Sequence, residues 1–202
     1  MWTCDGREYV NGIGQGEERR EGFLEFRAAM QAVDSTIQVG AVGVSPQADW
    51  SEWGVEVIEE AGAALDFYVI HQYAYFDPPA TYAAMLAQPQ KAWLPIMADA
   101  NEAFGDLGNG RIPPIAITEY NLFAVQEQDN RQVMKRAANM LFLADTIGQM
   151  LQNGVALANQ WNLANGEAGN GTDYGLMHAE TFYRYPQYSE KPSWRSSGIL
   201  LK

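Results

Sequence analysis

The sequence predicts an α/β fold with a parallel sheet, and three observations support this class. Four apolar runs have the composition of buried strands, and helical patterns separate them. The runs are almost continuously apolar, as in strands that are covered on both faces. Three of the four runs end in clusters of polar and aromatic residues. The alternation implies βαβ units, because each helix must carry the chain back across a face of the sheet.

The first half of the chain contains two predicted helix–strand pairs. Apolar residues at helical spacing predict a helix before a strand at 36–44. Asp49 or Ser51 can cap a second helix, which precedes a strand at 65–73 that is rich in β-forming residues. The apolar positions of the two helices are Phe23, Phe26, Met30 and Val33 in the first and Trp53, Val57, Ile58 and Ala61 in the second.

The second half of the chain repeats the pattern. After a proline-rich turn, helical stretches end at the glycines of 108–110, and a strand at 114–118 follows. The longest helix is predicted from about 129 to 152, where one face is apolar and Gly154 lies just beyond the end. A strand at 155–161 completes four β/α units.

Composition and charge limit the classes of function. The 202 residues include 47% hydrophobic residues and six tryptophans, enough for one globular domain with a sizeable core. The net charge of −12 repels nucleic acid and anionic membrane surfaces, so neither is an expected partner. The chain lacks both an apolar run of the ~20 residues that span a membrane and a signal-peptide pattern. We therefore expect a soluble chain, whose compartment stays open.

No metal or cofactor is expected. Cys4 is the single cysteine, and no CxxC or HExxH spacing occurs in the sequence. The glycine-rich segment at 12–16 imitates a phosphate-binding loop, but no strand precedes it and Glu17 and Glu18 follow it. Anion binding at this segment is therefore excluded.

The strand ends distinguish a doubly wound open sheet from part of a (β/α)8 barrel. A barrel places functional side chains at the C-terminal ends of several successive strands. An open sheet concentrates them near one switch point. The clusters favour a barrel, and they are His71, Gln72 and Tyr73, then Glu119, Tyr120 and Asn121, then Asn159, Gln160, Trp161 and Asn162.

These residues resemble the clan A glycoside hydrolases, most nearly the family 51 α-L-arabinofuranosidases and the family 39 enzymes. The resemblance covers most of the chain, and the context of Glu119 is its most specific part. It implies that residues 1–202 are a single catalytic-domain fragment, the second half of a TIM barrel with strands five to eight. The matching segments are "AMQAVDSTIQVGAVG" for the helix and strand after the acid/base strand, "DFYVIHQY" for strand six, "IAITEYN" for strand seven, "ANQWNLANG" for strand eight and "KPSWRSSGILLK" for the start of the final helix.

The resemblance implies that Glu119 is the nucleophile of a retaining glycosidase, because strand seven carries that carboxylate in the clan. The chemistry requires a second carboxyl group at about 5–5.5 Å. The clan usually carries its acid/base in an Asn-Glu pair, and no such pair lies near the start of this chain. Glu8 can take the position, with Arg7 in place of the asparagine. Otherwise the acid/base belongs to sequence upstream of Met1.

Further residues are predicted to contact the sugar. His71 and Tyr73 are two apart on a strand, so both can face one cavity and donate hydrogen bonds to sugar hydroxyls or to a catalytic carboxylate, although a buried core histidine is an equal alternative for His71. Trp161 can stack on a sugar ring, and a long loop at 166–188 can wall the pocket and bring His178 to it. The strand-end clusters add Tyr120, Asn121 and Asn159 to the predicted substrate-binding residues.

The expected function is a retaining glycoside hydrolase that acts on a polysaccharide or its oligosaccharides, in the manner of an arabinofuranosidase, xylosidase or endoglucanase. A non-hydrolytic carbohydrate-binding protein is one alternative. Another is a different barrel enzyme, in which Glu119 is a general base for proton abstraction. Four strands leave two open sheet edges, so the isolated chain is expected to self-associate and to lack turnover. The sequence leaves open which sugar and linkage are recognised, and whether bonds are cleaved at chain ends or internally.

Overall fold

The structure is a computed structural model that describes residues 4–14, 16–45 and 51–180. Helices and strands alternate along these residues, as the sequence predicts. The helices are α1 Gly6–Asn11, α2 Phe23–Val33, α3 Trp53–Ala61, α4 Tyr82–Leu107 and α5 Ala137–Gln152. The strands are β1 Ala41–Val42, β2 Tyr68–Tyr75, β3 Ile115–Phe123 and β4 Leu157–Gln160. Short 3₁₀ helices lie at Gly16–Glu18, Gly62–Ala64, Gln126–Gln128 and Val133–Lys135.

The four strands form one sheet in the order β1-β2-β3-β4. Strands β1 and β2 are parallel, with Ala41 opposite Tyr68. Strands β2 and β3 are joined at both ends: the Tyr68 N–H donates to the Pro114 carbonyl at 2.9 Å and the Ala124 N–H donates to the Tyr75 carbonyl at 2.8 Å. Neighbours in sequence are thus neighbours in the sheet, which confirms the predicted α/β class with parallel strands.

The chain divides into two compact units. The first consists of residues 1–72, 92–118 and 150–158, and the second of residues 73–91, 119–149 and 159–202. Strands β2, β3 and β4 each begin in the first unit and continue in the second. None of the helices in the described part of the chain combines the length and the apolar character that crossing a bilayer needs.

The core of the first unit is built around Tyr68. Its ring packs edge-on against Phe104, with ring centroids 5.0 Å apart at an interplanar angle of 83°. Its hydroxyl donates to the Val44 carbonyl at 3.2 Å and accepts the Val44 N–H at 3.1 Å. Gly43 permits this approach, because a Cβ atom there would lie 1.8 Å from the Tyr68 ring. Tyr68 thereby joins β2 to the segment that follows β1.

Asp66 connects α2 to the segment before β1. Its carboxylate accepts the Val39 N–H at 2.9 Å, an Arg27 N–H at 3.3 Å and the Gln31 amide at 3.4 Å. The hydrogen bond from the Val39 N–H, helped by Arg27, holds the pKa of Asp66 below its ordinary value. The predicted strand at 36–44 is shortened to β1, and on its N-terminal side the Val39 N–H donates to this side chain instead of to a neighbouring strand.

The predicted C-terminal ends of β2 and β3 are wrong, because both strands continue beyond them. Strand β3 continues for four residues beyond Glu119, since Ala124 still pairs with Tyr75 of β2. Strand β2 likewise continues beyond the cluster that begins at His71. The clusters at 71–73 and 119–121 therefore lie inside their strands rather than at the strand ends, whereas Trp161 and Asn162 of the third cluster follow β4. Strand β4 is exposed rather than buried, with Leu157 48% exposed, because it is an outer strand of the sheet.

The helices differ from prediction in four respects. Helix α4, with 26 residues, is longer than α5, with 16. Helix α5 begins eight residues later than predicted, because the buried Asp129 carboxylate accepts the N–H groups of Val133 and Met134 and holds a 3₁₀ turn there. The N-cap of α3 is Glu52 rather than Ser51, and Asp49 lies outside the described residues. Helix α1 was not predicted.

Candidate active site

Glu119 lies in the middle of β3, within the second unit, and is half-buried. The hydroxyl of Tyr73, on the neighbouring strand β2, donates a hydrogen bond of 2.9 Å to Glu119 Oε2. Side chains that pair across adjacent strands can meet in this way without any loop being ordered first. The sheet therefore delivers a carboxylate and a phenol to one place.

Tyr73 remains a proton donor across the ordinary pH range. Burial is the largest cause that raises the pKa of its phenol, and the hydrogen bond to the Glu119 carboxylate raises it further. A hydroxyl that stays protonated keeps donating to Glu119. Tyr73 was predicted to donate to a sugar hydroxyl or to a catalytic carboxylate. The structure shows its hydrogen bond to Glu119, and contact with a sugar stays a prediction.

Tyr174 is a neighbour of this pair that the sequence did not indicate. Its ring packs edge-on against Tyr73, with centroids 6.2 Å apart at an interplanar angle of 61°. Its hydroxyl donates to the Ala124 carbonyl at 3.0 Å. Burial, followed by the negative charge of Glu127, raises the pKa of Tyr174 to about 12. Tyr174 lies in a segment without periodicity, so no spacing signal could have found it.

Asn121 is buried and is bonded to main-chain atoms. Its amide nitrogen donates to the carbonyls of Trp161 and Tyr174, the latter at 3.3 Å, and its oxygen accepts the Leu122 N–H at 2.7 Å. Gln160 donates to the same Trp161 carbonyl at 2.9 Å. These bonds anchor the chain beyond β4 to β3. Contact of Asn121 with a substrate stays a prediction.

Of three other predicted residues, Tyr120 lies inside β3, Asn159 lies on β4 and Trp161 directly follows β4. Trp161 is 39% exposed, and its main-chain N–H donates to the Tyr120 carbonyl at 3.0 Å. Tyr120 itself is buried, which raises the pKa of its phenol. Asn159 is exposed on β4. Trp161 and Asn159 are thus accessible to a ligand, while Tyr120 is the least accessible of the three.

The two histidines lie in different units of the chain. His71 belongs to the first unit and is exposed, with its Nε2 atom 2.9 Å from the Thr118 hydroxyl. His178 belongs to the second unit and is half-buried; it follows Met177, whose N–H donates to the Leu163 carbonyl at 3.0 Å. Their contacts with a sugar stay predictions.

Glu8 lies in the first turn of α1 and completes a capping box. Its N–H donates to Asp5 Oδ1 at 2.8 Å, and its carboxylate accepts the Asp5 N–H at 3.3 Å. Arg7, which stands where the clan usually has asparagine, pairs with Glu59 at 2.9 Å and Glu56 at 3.5 Å. Glu8 therefore has a structural role, and its role as acid/base stays a prediction.

The chain after β4 is tied to the chain after β3 by a second set of polar contacts. The Thr172 hydroxyl donates to the buried Asp129 at 2.6 Å, and Gln126 donates to the Gly166 carbonyl at 2.9 Å. Lys135 pairs with Glu167. The predicted loop at 166–188 is therefore held in place as far as Met177, whose N–H donates to the Leu163 carbonyl. Residues 181–188, and the "KPSWRSSGILLK" segment, lie outside the described residues.

Chemically, the arrangement offers a half-buried carboxylate with a neutral hydrogen-bond donor beside it. Such a carboxylate can attack an electrophilic carbon or accept a proton. Within the described ranges, no group of three or more histidine, cysteine, aspartate or glutamate side chains is placed to hold a metal ion.

Solved structures of α-L-arabinofuranosidases, family 51 enzymes among them, have a similar fold. The Bifidobacterium longum enzyme has a TM-score of 0.58 and 16% identity over 79% of this chain and 36% of its own. The Thermotoga petrophila enzyme has a TM-score of 0.54 and 22% identity over 77% of this chain and 30% of its own. The Thermotoga maritima enzyme, solved with arabinose, gives the same values. No protein-family model and no curated protein matches the sequence.

At these identities the likeness concerns the fold. The four parallel strands and their helices are similar in fold to a part of these enzymes, which corresponds to a partial (β/α)8 barrel. The chain spans about a third of the length of the arabinofuranosidases that it resembles. The predicted fold class, an α/β fold of the partial-barrel type, is confirmed.

Proposed function

We propose that this chain supplies the nucleophile of a retaining glycoside hydrolase, and that Glu119 is that nucleophile. One observation carries the proposal: the Glu119 carboxylate is in the middle of β3 with the Tyr73 hydroxyl 2.9 Å from it. The glycosidase-like fold supports it. Because the chain spans about a third of the length of the solved arabinofuranosidases, the activity is proposed for the full-length protein.

The reaction has two steps. In the first, a Glu119 oxygen attacks the anomeric carbon, the bond to the leaving-group oxygen breaks, and a carboxylic acid protonates that oxygen. In the second, the same acid, now a carboxylate, takes a proton from water, which displaces Glu119 and restores the original configuration. Tyr73 donates to Glu119 and so stabilises its negative charge before attack and when it departs as leaving group.

Glu8 is the candidate acid/base within the chain. To serve in this way, its carboxyl group would have to release the Asp5 N–H that it accepts in the capping box. The substrate class is a glycoside of a polysaccharide or its oligosaccharides. Arabinofuranosides are the first candidates because the similar solved structures are arabinofuranosidases, and xylosides and glucosides come next.

Glu119→Ala in the full-length protein tests the proposal. Turnover of an activated aryl glycoside should fall by orders of magnitude while the melting temperature is nearly unchanged. Azide should restore part of the rate and give a glycosyl azide of inverted configuration, because it attacks from the face that Glu119 leaves open. Glu102→Ala is the matched control, since Glu102 is exposed on α4. Wild-type turnover in Glu119→Ala would exclude Glu119 as nucleophile.

A carbohydrate-binding protein without hydrolysis is the second candidate. The engagement of Glu8 in the capping box favours it, because a site without an acid cannot expel a poor leaving group. Calorimetric titration with arabino-, xylo- and gluco-oligosaccharides distinguishes the two candidates. Binding without turnover in the full-length protein would select the second. If Glu119→Ala loses turnover and azide does not restore it, Glu119 is a general base instead of a nucleophile.

A further inference from the structure

We propose that Tyr174 is a positioning residue, which holds the ring of Tyr73 in the orientation that lets its hydroxyl donate to Glu119. This inference rests on the proposed role of Glu119. Tyr174 has no predicted role in the sequence, and it lies far from Tyr73 along the chain. It contacts the nucleophile's partner rather than the nucleophile.

The contact between the two rings restricts Tyr73. Strand β2 fixes the backbone of Tyr73, but its hydroxyl is at the far end of the side chain and moves when the side chain rotates about its Cα–Cβ bond. Tyr174 packs edge-on at 6.2 Å and 61°, an arrangement that aromatic rings prefer because the positive edge of one meets the negative face of the other. Rotation of Tyr73 would lose this contact together with the 2.9 Å bond to Glu119.

Tyr174 can restrain Tyr73 because it is itself held at both ends. Its hydroxyl donates to the Ala124 carbonyl at 3.0 Å, and the Ala124 N–H in turn donates to Tyr75 of β2. Its own carbonyl accepts from Asn121 at 3.3 Å and from Gln160 at 3.4 Å. The ring is therefore fixed against the ends of the strands that carry Tyr73 and Glu119.

The two parts of the Tyr174 side chain have different tasks. The ring contacts Tyr73, whereas the hydroxyl bonds to a main-chain carbonyl. Tyr174→Phe keeps the ring and loses one of its two anchors, so its loss of activity should be smaller than that of Tyr174→Leu. Tyr174→Leu removes the ring. We expect Tyr174→Leu to lower kcat by about 10- to 100-fold with little change in KM, because the donor to Glu119 is misplaced while the sugar contacts persist.

A double-mutant cycle in the full-length protein tests whether Tyr174 acts through Tyr73. In the Tyr73→Phe background the hydroxyl is already gone. Adding Tyr174→Leu to that variant should therefore lower kcat by less than about twofold. A purely structural role would give the same loss in both backgrounds, and that result would overturn the proposal. Tyr82→Leu is the matched control, because Tyr82 contacts Arg131 instead. Should Tyr174→Leu be unfolded at the assay temperature, Tyr174→Met replaces it.

A second measurement does not depend on catalysis. With 3-fluorotyrosine incorporated, the ¹⁹F resonance of Tyr73 is assigned by its loss in Tyr73→Phe. Tyr174→Leu should broaden or split this resonance, and Tyr82→Leu should leave it sharp. An unchanged Tyr73 resonance in Tyr174→Leu would reject the positioning role even in an active enzyme. A protein that shows the broadening but hydrolyses no glycoside would refute the proposed function and leave the positioning role supported.

Discussion

At the scale of single residues, the pairing of Tyr73 with Glu119 combines a charge with a neutral donor. A lysine or arginine beside the nucleophile would hold it in an ion pair, whereas a phenol stabilises the carboxylate without neutralising it. Burial keeps the phenol protonated by raising its pKa above the ordinary value of 10.0. The donor is therefore available throughout the pH range in which glycosides are usually assayed.

Tyr73→Phe should lower kcat/KM by about 10- to 100-fold, because a hydrogen bond to a charged group contributes about 1.5–3 kcal/mol. The pH profile gives a further check. Since the pKa of Tyr73 is raised, its ionisation cannot cause a loss of activity below pH 10. The alkaline limb of the profile should thus be the same in Tyr73→Phe and wild type. A limb that disappears in the variant would show that Tyr73 ionises in the working range.

Glu8 allows a substitution that separates its two roles. Glutamine can replace glutamate in a capping box but cannot donate a proton to a leaving group. If Glu8 is the acid/base, Glu8→Gln should slow glycosides with poor leaving groups far more than activated ones, with an unchanged melting temperature. Glu8→Ala should in addition be destabilised, as the box is lost. Equal rates for Glu8→Gln and wild type on both substrate types would show that Glu8 only caps α1 and is not the acid/base.

At the scale of elements, periodicity predicted which segments are helices and strands, but side-chain bonds decided where they end. The apolar face of 129–152 gave no sign that Asp129 would cap a 3₁₀ turn, because its partner Thr172 lies 43 residues later. Helix α4 continues through Pro89 and Pro95, where local preference predicts a break. Glu119 could be selected from its local context. Tyr174 could not, because only the folded chain brings it to Tyr73.

The ionisation of Asp66 should determine how the contact between α2 and the segment before β1 responds to pH. Its pKa is lowered in the folded state, so its stabilising contribution is present above its ordinary pKa and is lost as pH falls through the folded value. Asp66→Asn should lower the free energy of unfolding by about 1–2 kcal/mol at neutral pH. Its melting temperature should also depend less on pH below about 4 than that of wild type.

Thermal melts between pH 2.5 and 7 measure both effects. Asp106→Asn is the matched control, because Asp106 is exposed on α4 and its loss should leave the pH dependence intact. Parallel stability curves for Asp66→Asn and wild type would contradict the assignment of Asp66 as the residue that couples this contact to pH.

At the scale of the whole molecule, the sheet and the surface lead to an expectation for the 202-residue chain expressed alone. Strands β1 and β4 are the outer strands of the sheet, so among the described residues each has one neighbouring strand. Apolar side chains are exposed on β4 and α2, where Leu157 is 48%, Phe26 is 59% and Val33 is 91% exposed. Open edges and exposed apolar surface favour association, which the net charge of −12 opposes.

We therefore expect the isolated chain to self-associate, more strongly as salt rises, and to hydrolyse no glycoside. Salt screens the repulsion between like-charged chains but leaves strand pairing and apolar contacts in place. If association uses the sheet edge, Leu157→Lys should shift the chain toward monomer in light scattering at high salt, because charged residues block edge pairing. Val33→Lys is the matched control, an equally drastic change on an exposed helix position, and should leave the mass distribution unchanged. A larger effect of Val33→Lys would move the interface to α2. A monomer at high salt with measurable turnover would show that the four strands suffice for both folding and catalysis.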